Sequence, residues 1–541
     1  MWDSLLCLLP SLLLLLVAAL LRRSPVSGAL ENLLRRATWI LWRGVCWVLE
    51  LPVPVRGDGT DGTSDTADAE PGLVCKPTAL AHHLLLHCRT LLRPSLAAWP
   101  RGDPHLQTLS SLLWPLDGTV GGGGGEVRFT RDHLLLSDGG IVALDWAVGL
   151  SGEPPLGSKC EQQPGACRSP GCRSSSSSSS SSGSPPILLL IPNSLGVVTP
   201  HLQRLCSLAL CRGYYPVVFH RRGQGGCPLT TPRYQEFGDP RDLVQAVAYL
   251  RDRHRSATLL AVSEGSGSGL LLSYLGECGS SSYLTAAACI SPVLHGQLWF
   301  ETPFPSLYHW GALFYRKLQI SRYASALSSL LDVGQLLRCR SLKDMEELMF
   351  CGAPKATAVS AEGQSPAEGA KGWEAYWERN EPLRDADEVA VPVLCLCSAD
   401  DPLLPPASTL PTSLFRNSPY FLLTLTASGG HCGFFARAGT RGVGGGGTGT
   451  VSSWSHEAVL EYLQVASDFL KGEEKRRRRL AQEQEQEVGG PAQGWRRRSS
   501  TVLARRRRPV LPGRRERHLT HQPAQSALAE DLFTWNRSYT R

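Results

Sequence analysis

Between Val127 and Leu470 the apolar positions fall into two alternating patterns. Short runs read as strands: "VRFT", "IVALDWAV", "ILLLI", "YPVVFH", "TLLAV", "AAACIS", "PVLCLC" and "YFLLTLT". The stretches between them carry helical periodicity and predict helices at about 201–211, 239–254, 269–277 and 455–470. The later strands are continuously apolar runs rather than alternating ones, as expected of a parallel sheet covered by helices on both faces. The pattern predicts an α/β open sheet, in which functional residues gather at the carboxyl ends of the strands. About a hundred residues separate "AAACIS" from "PVLCLC", far more than one crossover helix needs, and they begin "LWFETPFPSLYHWGALFY". This segment, about 294–390, is expected to form a helical cap, its aromatic residues either facing an apolar ligand or packing the cap onto the body.

The length, 541 residues, suggests several domains, but low-complexity tracts reduce the foldable part to one. Serines run from Ser174 to Ser182, and glycine runs occupy 121–125 and 444–447. Such segments bury too little apolar surface to offset the entropy of ordering them. The expected organisation is an N-terminal apolar segment (1–28), an interfacial helix and polar linker (29–98), a globular domain (99–470) and a disordered basic tail (471–541). Low-complexity insertions within the domain are expected at about 151–185 and 436–453. From Lys471 onward there are 18 basic against 8 acidic residues, leaving 37 against 40 before it, so the net charge of +7 belongs to the tail. A nearly neutral body argues against a nucleic-acid-binding domain, whereas "KRRRR", "RRRSS" and "ARRRR" suit a polyanion or an anionic membrane surface. "WRRRSST" also presents Ser499, Ser500 and Thr501 to a kinase that reads upstream arginines.

Leu5 to Leu21 is an apolar stretch of 17 residues, at the short end of what spans a bilayer. No Lys or Arg precedes it, while Arg22, Arg23, Arg35 and Arg36 follow, which favours an uncleaved anchor with the body on the cytosolic side. The alternative is a signal peptide cleaved after Val26–Gly28, giving a secreted protein. A second apolar stretch, "ATWILWRGVCWVLELPV", is interrupted by Arg43 and rich in Trp, and is expected to lie along a membrane interface. The 17 cysteines, an odd number, resemble buried free thiols rather than a disulfide framework, Cys395 and Cys397 among them. His83 and His87 share a helix face beside His82, but without a third ligand they predict no metal site.

Three motifs follow three late strands: "SEGSGSG" after "TLLAV", "SADDPLLPP" after "PVLCLC", and "ASGGHCGFF" after "YFLLTLT". The order nucleophile, acid, histidine is that of the α/β-hydrolases, with Asp401 as the acid that orients the imidazole and His431 as the base. The wider sequence resembles the membrane-anchored α/β-hydrolase domain lipases and esterases, whose bacterial relatives are the YheT-like hydrolases. The resemblance covers about 99–470 and rests on "GDPHLQTLSSLLWP", "DGGIVALDW", "FHRRGQGGCPLTTPRYQEFGDPRDLVQAVAYLR", "LLLSYLGE", "SADDPLLPP" and "GGHCGFF". It implies ester hydrolysis on lipids, an N-terminal anchor and no cofactor.

The same resemblance exposes a departure. The relatives' turn is Gly-Phe-Ser-Leu-Gly-Gly-Asn, and laid without gaps on this chain it places Gly265 at the serine position, with Ser263 and Gly267 at the flanking small positions. Ser266, one residue later, is the better substitute nucleophile; Ser263 would sit at the strand end. In the loop after "ILLLI", "PNSLG" stands where relatives have Pro-Gly-Leu-x-Gly, so Asn193 and Ser194 occupy the expected oxyanion loop. A phosphate-loop reading of Gly265, Gly267 and Gly269 fails, because the spacing is G-x-G-x-G and no Lys-Ser/Thr follows. Two functions remain. One is a non-catalytic hydrolase-like protein that binds a lipid or acyl ligand or a protein partner in lipid-metabolic regulation; the other is a lipid esterase using Ser266, His431 and Asp401.

Overall fold

A computed structural model describes residues 28–52, 73–113, 127–149, 184–351, 366–437 and 453–488. The chain divides into two compact units, one formed mainly by residues up to Ser467 and the other by 468–536. The N-terminal apolar segment, the polar linker and most of both low-complexity insertions lie outside the described residues.

The first unit is built on β1 (Leu73–Val74), β2 (Arg128–Leu135), β3 (Ile141–Val148), β4 (Ile187–Ile191), β5 (Tyr215–His220), β6 (Leu259–Glu264), β7 (Leu284–Ile290), β8 (Val393–Ser398) and β9 (Phe421–Thr426). They form one sheet in the order β1-β9-β8-β7-β6-β4-β5-β3-β2. From β5 to β9 the pairs are parallel, and β2, β3 and β1 join antiparallel at the edges. β4 to β9 are buried along nearly their whole length, which explains their continuous apolar runs. β2, at an edge, alternates exposed and half-buried positions instead.

Helices cover the sheet: α1 (Gly28–Val48), α2 (Ala79–His87), α3 (Pro104–Leu112), α4 (Pro200–Cys211), α5 (Arg241–Arg253), α6 (Ser268–Cys278), α7 (Ser306–Arg322), α8 (Leu342–Phe350), α9 (Pro366–Asn380) and α10 (Trp454–Val488). α6 is buried from Ser268 to Gly276, and its glycines allow close approach: a Cβ on Gly269 would lie 2.3 Å from the Phe237 ring. Its sequence partners confirm the parallel crossover, since β6, α6 and β7 follow in order. α10 continues to Val488, so the first part of the tail expected to be disordered from Lys471 is helical. Good helix formers and the Glu474–Arg478 pair support it there.

The segment between β7 and β8 forms the expected cap. α7 and α8 share a second core with Leu313, Ile320, Leu336 and Met345, and α9 packs Trp373, Tyr376 and Trp377 against Phe237 of the body. α1 is amphipathic. Cys46 and Trp42 belong to a cluster with Tyr308, whereas Trp39, Ile40 and Trp47 are exposed. No described helix is long and apolar enough to cross a membrane.

Candidate functional site

β6 lies mid-sheet between β4 and β7, so the turn at its carboxyl end emerges at the centre of the molecule's upper edge. Gly265 opens that turn with φ +49°, the left-handed conformation of a nucleophile elbow. The turn Gly265–Gly267 passes directly into α6. Glycine at 267 is required by contact, because a Cβ there would meet the Pro192 carbonyl oxygen at 2.2 Å. The elbow therefore keeps its backbone shape. At Gly265 a Cβ would lie 2.7 Å from His431 Nε2, so the imidazole stands where a nucleophile's side chain would project.

The acid and histidine are assembled as the sequence order predicts. Asp401 follows β8, His431 follows β9, and His431 Nδ1 lies 2.9 and 3.1 Å from the two Asp401 oxygens. Asp401 Oδ1 also accepts from Leu403 N at 2.9 Å. Burial disfavours the imidazolium, but the Asp401 charge, with the Cys432 sulfur, outweighs it and holds His431 well above its ordinary value. Asp400 braces the loop by accepting from Gly430 N at 2.9 Å and from the Ser398 hydroxyl at 2.5 Å.

Ser266 reaches the same cavity but faces the oxyanion loop. Its Oγ accepts from Ser194 N at 2.9 Å and shares a 2.9 Å hydrogen bond with the Ser194 hydroxyl. Leu195 N donates to Asn193 Oδ1 at 3.1 Å. Two backbone donors of the loop that would face a developing oxyanion are thus occupied by side chains. Ser263 is buried in β6 with an unpartnered hydroxyl, away from the turn apex. The sequence therefore placed Asp401, His431, Ser266, Asn193 and Ser194 in one region.

Two features were missed. The first is α3, whose Thr108 hydroxyl accepts from His431 N at 2.9 Å and whose Ser111 hydroxyl donates to His431 O at 2.8 Å. The second is a buried polar cluster beneath the elbow. Glu264 Oε1 lies 2.5 Å from His201 Nδ1, and Glu264 Oε2 accepts from the Thr199 hydroxyl at 3.0 Å. His456 lies against His201 with ring centroids 4.0 Å apart and the rings tilted by 45°, and burial pushes it well below the usual histidine range. The signal was Glu264 itself, a carboxylate at the end of an apolar strand. One ligand atom each from His201, Glu264 and His456 lies within 4.8 Å of the others, the only such group among the described residues. His201 Nδ1 and Glu264 Oε1 are already paired with each other. His83 and His87 stack at 4.0 Å on α2 without a third ligand. Cys395 and Cys397 are buried free thiols in the main core.

Above the dyad is a cavity of about 540 Å³, lined by Ser266, His431, Trp299, Phe300, Tyr308 and Trp310 among others. Of the aromatics in the cap segment, Trp299, Phe300, Phe304, Tyr308, Trp310 and Tyr315 line the cavity, and Trp299 and Phe300 also pack against the cluster of Phe237, Trp373, Tyr376 and Trp377, so the two expected roles overlap.

No family model matches the chain. Protein ABHD15 of Homo sapiens is 44% identical over 495 residues, which cover 90% of this chain and 89% of that one. Phospholipase ABHD3 of Mus musculus is 25% identical over 383 residues, 68% of this chain and 79% of that protein. Monoacylglycerol lipase of Saccharomyces cerevisiae is 24% identical over 262 residues, covering 46% and 52%. The sheet order, the elbow, the Asp401–His431 pair and the extent of the first likeness all lead to one assignment: the chain belongs to the α/β-hydrolase domain (ABHD) family.

Proposed function

We propose that the protein is a catalytically impaired α/β-hydrolase whose cavity binds a lipid or acyl ligand and which acts by binding, in the regulation of lipid metabolism, through a protein partner. The observation that carries this reading is Gly265, an elbow apex with no hydroxyl and with His431 Nε2 filling the space a Cβ would need. One further feature supports it: the Ser194 and Leu195 amides are occupied by the side chains of Ser266 and Asn193. Lipid chemistry is suggested by the apolar cavity and by relatives named as a phospholipase and a monoacylglycerol lipase.

The competing reading is a membrane-associated serine esterase using Ser266, His431 and Asp401; what favours it is the intact acid–histidine pair beside Ser266 in one cavity. A fluorophosphonate probe on the full chain separates the two. The expected outcome is no labelling. Labelling that disappears in both Ser266→Ala and His431→Ala would establish the esterase. We place the protein on a membrane, anchored by the apolar stretch from Leu5 to Leu21 with the body on the cytosolic side; secretion after cleavage is the alternative.

A further inference from the structure

The cavity beneath the cap is mostly apolar, and apart from the dyad region its charged lining residues are Arg221, Arg316 and Glu346. Arg221, just after β5, lines it and is only 6% exposed. A guanidinium carries five N–H donors and strongly favours a planar oxyanion. Here it makes only long contacts to backbone carbonyls, to Glu236 O at 3.3 Å and to Phe237 O at 3.4 and 3.5 Å. The nearby acids are engaged elsewhere. Asp242 forms a bidentate pair with Arg222 at 2.6 Å, and Glu346 accepts from the Tyr376 hydroxyl at 2.7 Å while lying 4.0 Å from Arg316. Arg316 also lines the cavity, so two guanidinium groups face it against the single carboxylate of Glu346. Burial, followed by repulsion from Arg316, pushes Arg221 down to about 10. Gln224 and Gln235 also line the cavity.

We propose that Arg221, backed by Arg316, recognises the oxyanion head of a single-chain amphiphile whose alkyl chain lies along the aromatic wall of the cavity. The volume, about 540 Å³, falls in the ordinary range for small-ligand sites, about 300 to 1,000 Å³. The inference rests on the binding role proposed above and names its ligand class. A carboxylate and a phosphate monoester share the chemistry that Arg221 selects. A neutral ester with the same chain lacks it.

The test uses the purified full chain and a photoactivatable dodecanoate bearing a diazirine and an alkyne, competed with unlabelled dodecanoate, dodecyl phosphate and methyl dodecanoate. At least one oxyanion is expected to compete at about tenfold lower concentration than the methyl ester, since one charge-assisted hydrogen bond is worth at least that factor. Which of the two competes better identifies the head group as carboxylate or phosphate. Arg221→Gln is expected to bring the oxyanion down to the level of the ester. Arg316→Gln, which leaves Glu346 free to neutralise Arg221, is expected to reduce the preference in the same direction. Equal competition by methyl dodecanoate in the parent, or labelling that does not saturate, overturns the proposal, and this arm needs no variant to fold. Fluorophosphonate labelling of the parent would overturn the non-catalytic reading while leaving the oxyanion preference to be read on its own.

Discussion

A serine placed at Gly265 meets two local obstacles that the sequence alone does not display. With φ +49° the position is left-handed, which costs an L-residue about 1–2 kcal/mol, and the Cβ would force His431 to retreat from 2.7 Å. His431 is held on its other side by Asp401 and by Thr108, so the retreat is resisted. A third barrier lies at Ser266, whose Oγ consumes the Ser194 N–H. Removing one oxyanion donor costs about 3 kcal/mol of transition-state stabilisation, or a factor of about 10² to 10³. Gly265→Ser alone is therefore expected to react slowly with a fluorophosphonate probe, and Gly265→Ser combined with Ser266→Ala at least about tenfold faster, because the donor is released. Equal labelling rates in the two variants would mean that the Ser194 amide is not what limits the restored site.

The histidine loop depends on an element far away in sequence. α3 contributes Thr108, which donates to Pro104 O at 2.7 Å and accepts from His431 N, while Gln107 Oε1 accepts from Phe435 N at 3.1 Å. Thr108→Val keeps the side chain's shape but leaves a buried N–H without an acceptor. It is expected to lower stability by about 1–3 kcal/mol in urea unfolding; a change below about 0.5 kcal/mol would show that the loop is held by its other contacts. This clamp was not legible, because the sequence shows a polar helix face and not what it touches. The strands that carry the site were legible, since full burial makes β4 apolar throughout and β8 apolar up to its final Ser398. β2 was recognised over only its first three residues, because an edge strand with Arg131, Asp132 and His133 in it lacks that signal. β1, two residues long, has none. The elbow's missing hydroxyl could be read from Gly265, whereas the occupied Ser194 and Leu195 amides required coordinates.

For the whole molecule, the membrane placement proposed above can be tested on the exposed aromatic residues. α1 exposes Trp39, Ile40 and Trp47, the last at 83%, and cap helix α7 exposes Trp310, Phe314 and Leu318 at helical spacing. The two helices meet in the cluster of Cys46, Tyr308 and Leu307, and Trp310 also lines the cavity. Tryptophan prefers the head-group layer, and Arg36 and Arg43 on α1 supply charge for anionic lipid. The apolar stretch from Leu5 to Leu21 precedes α1, so an anchor there would bring this surface to the membrane that holds it. An amphiphile would then enter the cavity from the bilayer without crossing water. In vesicles containing brominated lipid, quenching of tryptophan fluorescence in the full chain is expected to fall by at least about half when Trp39, Trp47 and Trp310 are replaced together by Phe, which keeps the surface apolar while removing the reporters, since interfacial helices sit about 5–10 Å into the head-group boundary. Quenching that survives the triple replacement would assign the contact to other tryptophans and remove α1 and α7 from the membrane face.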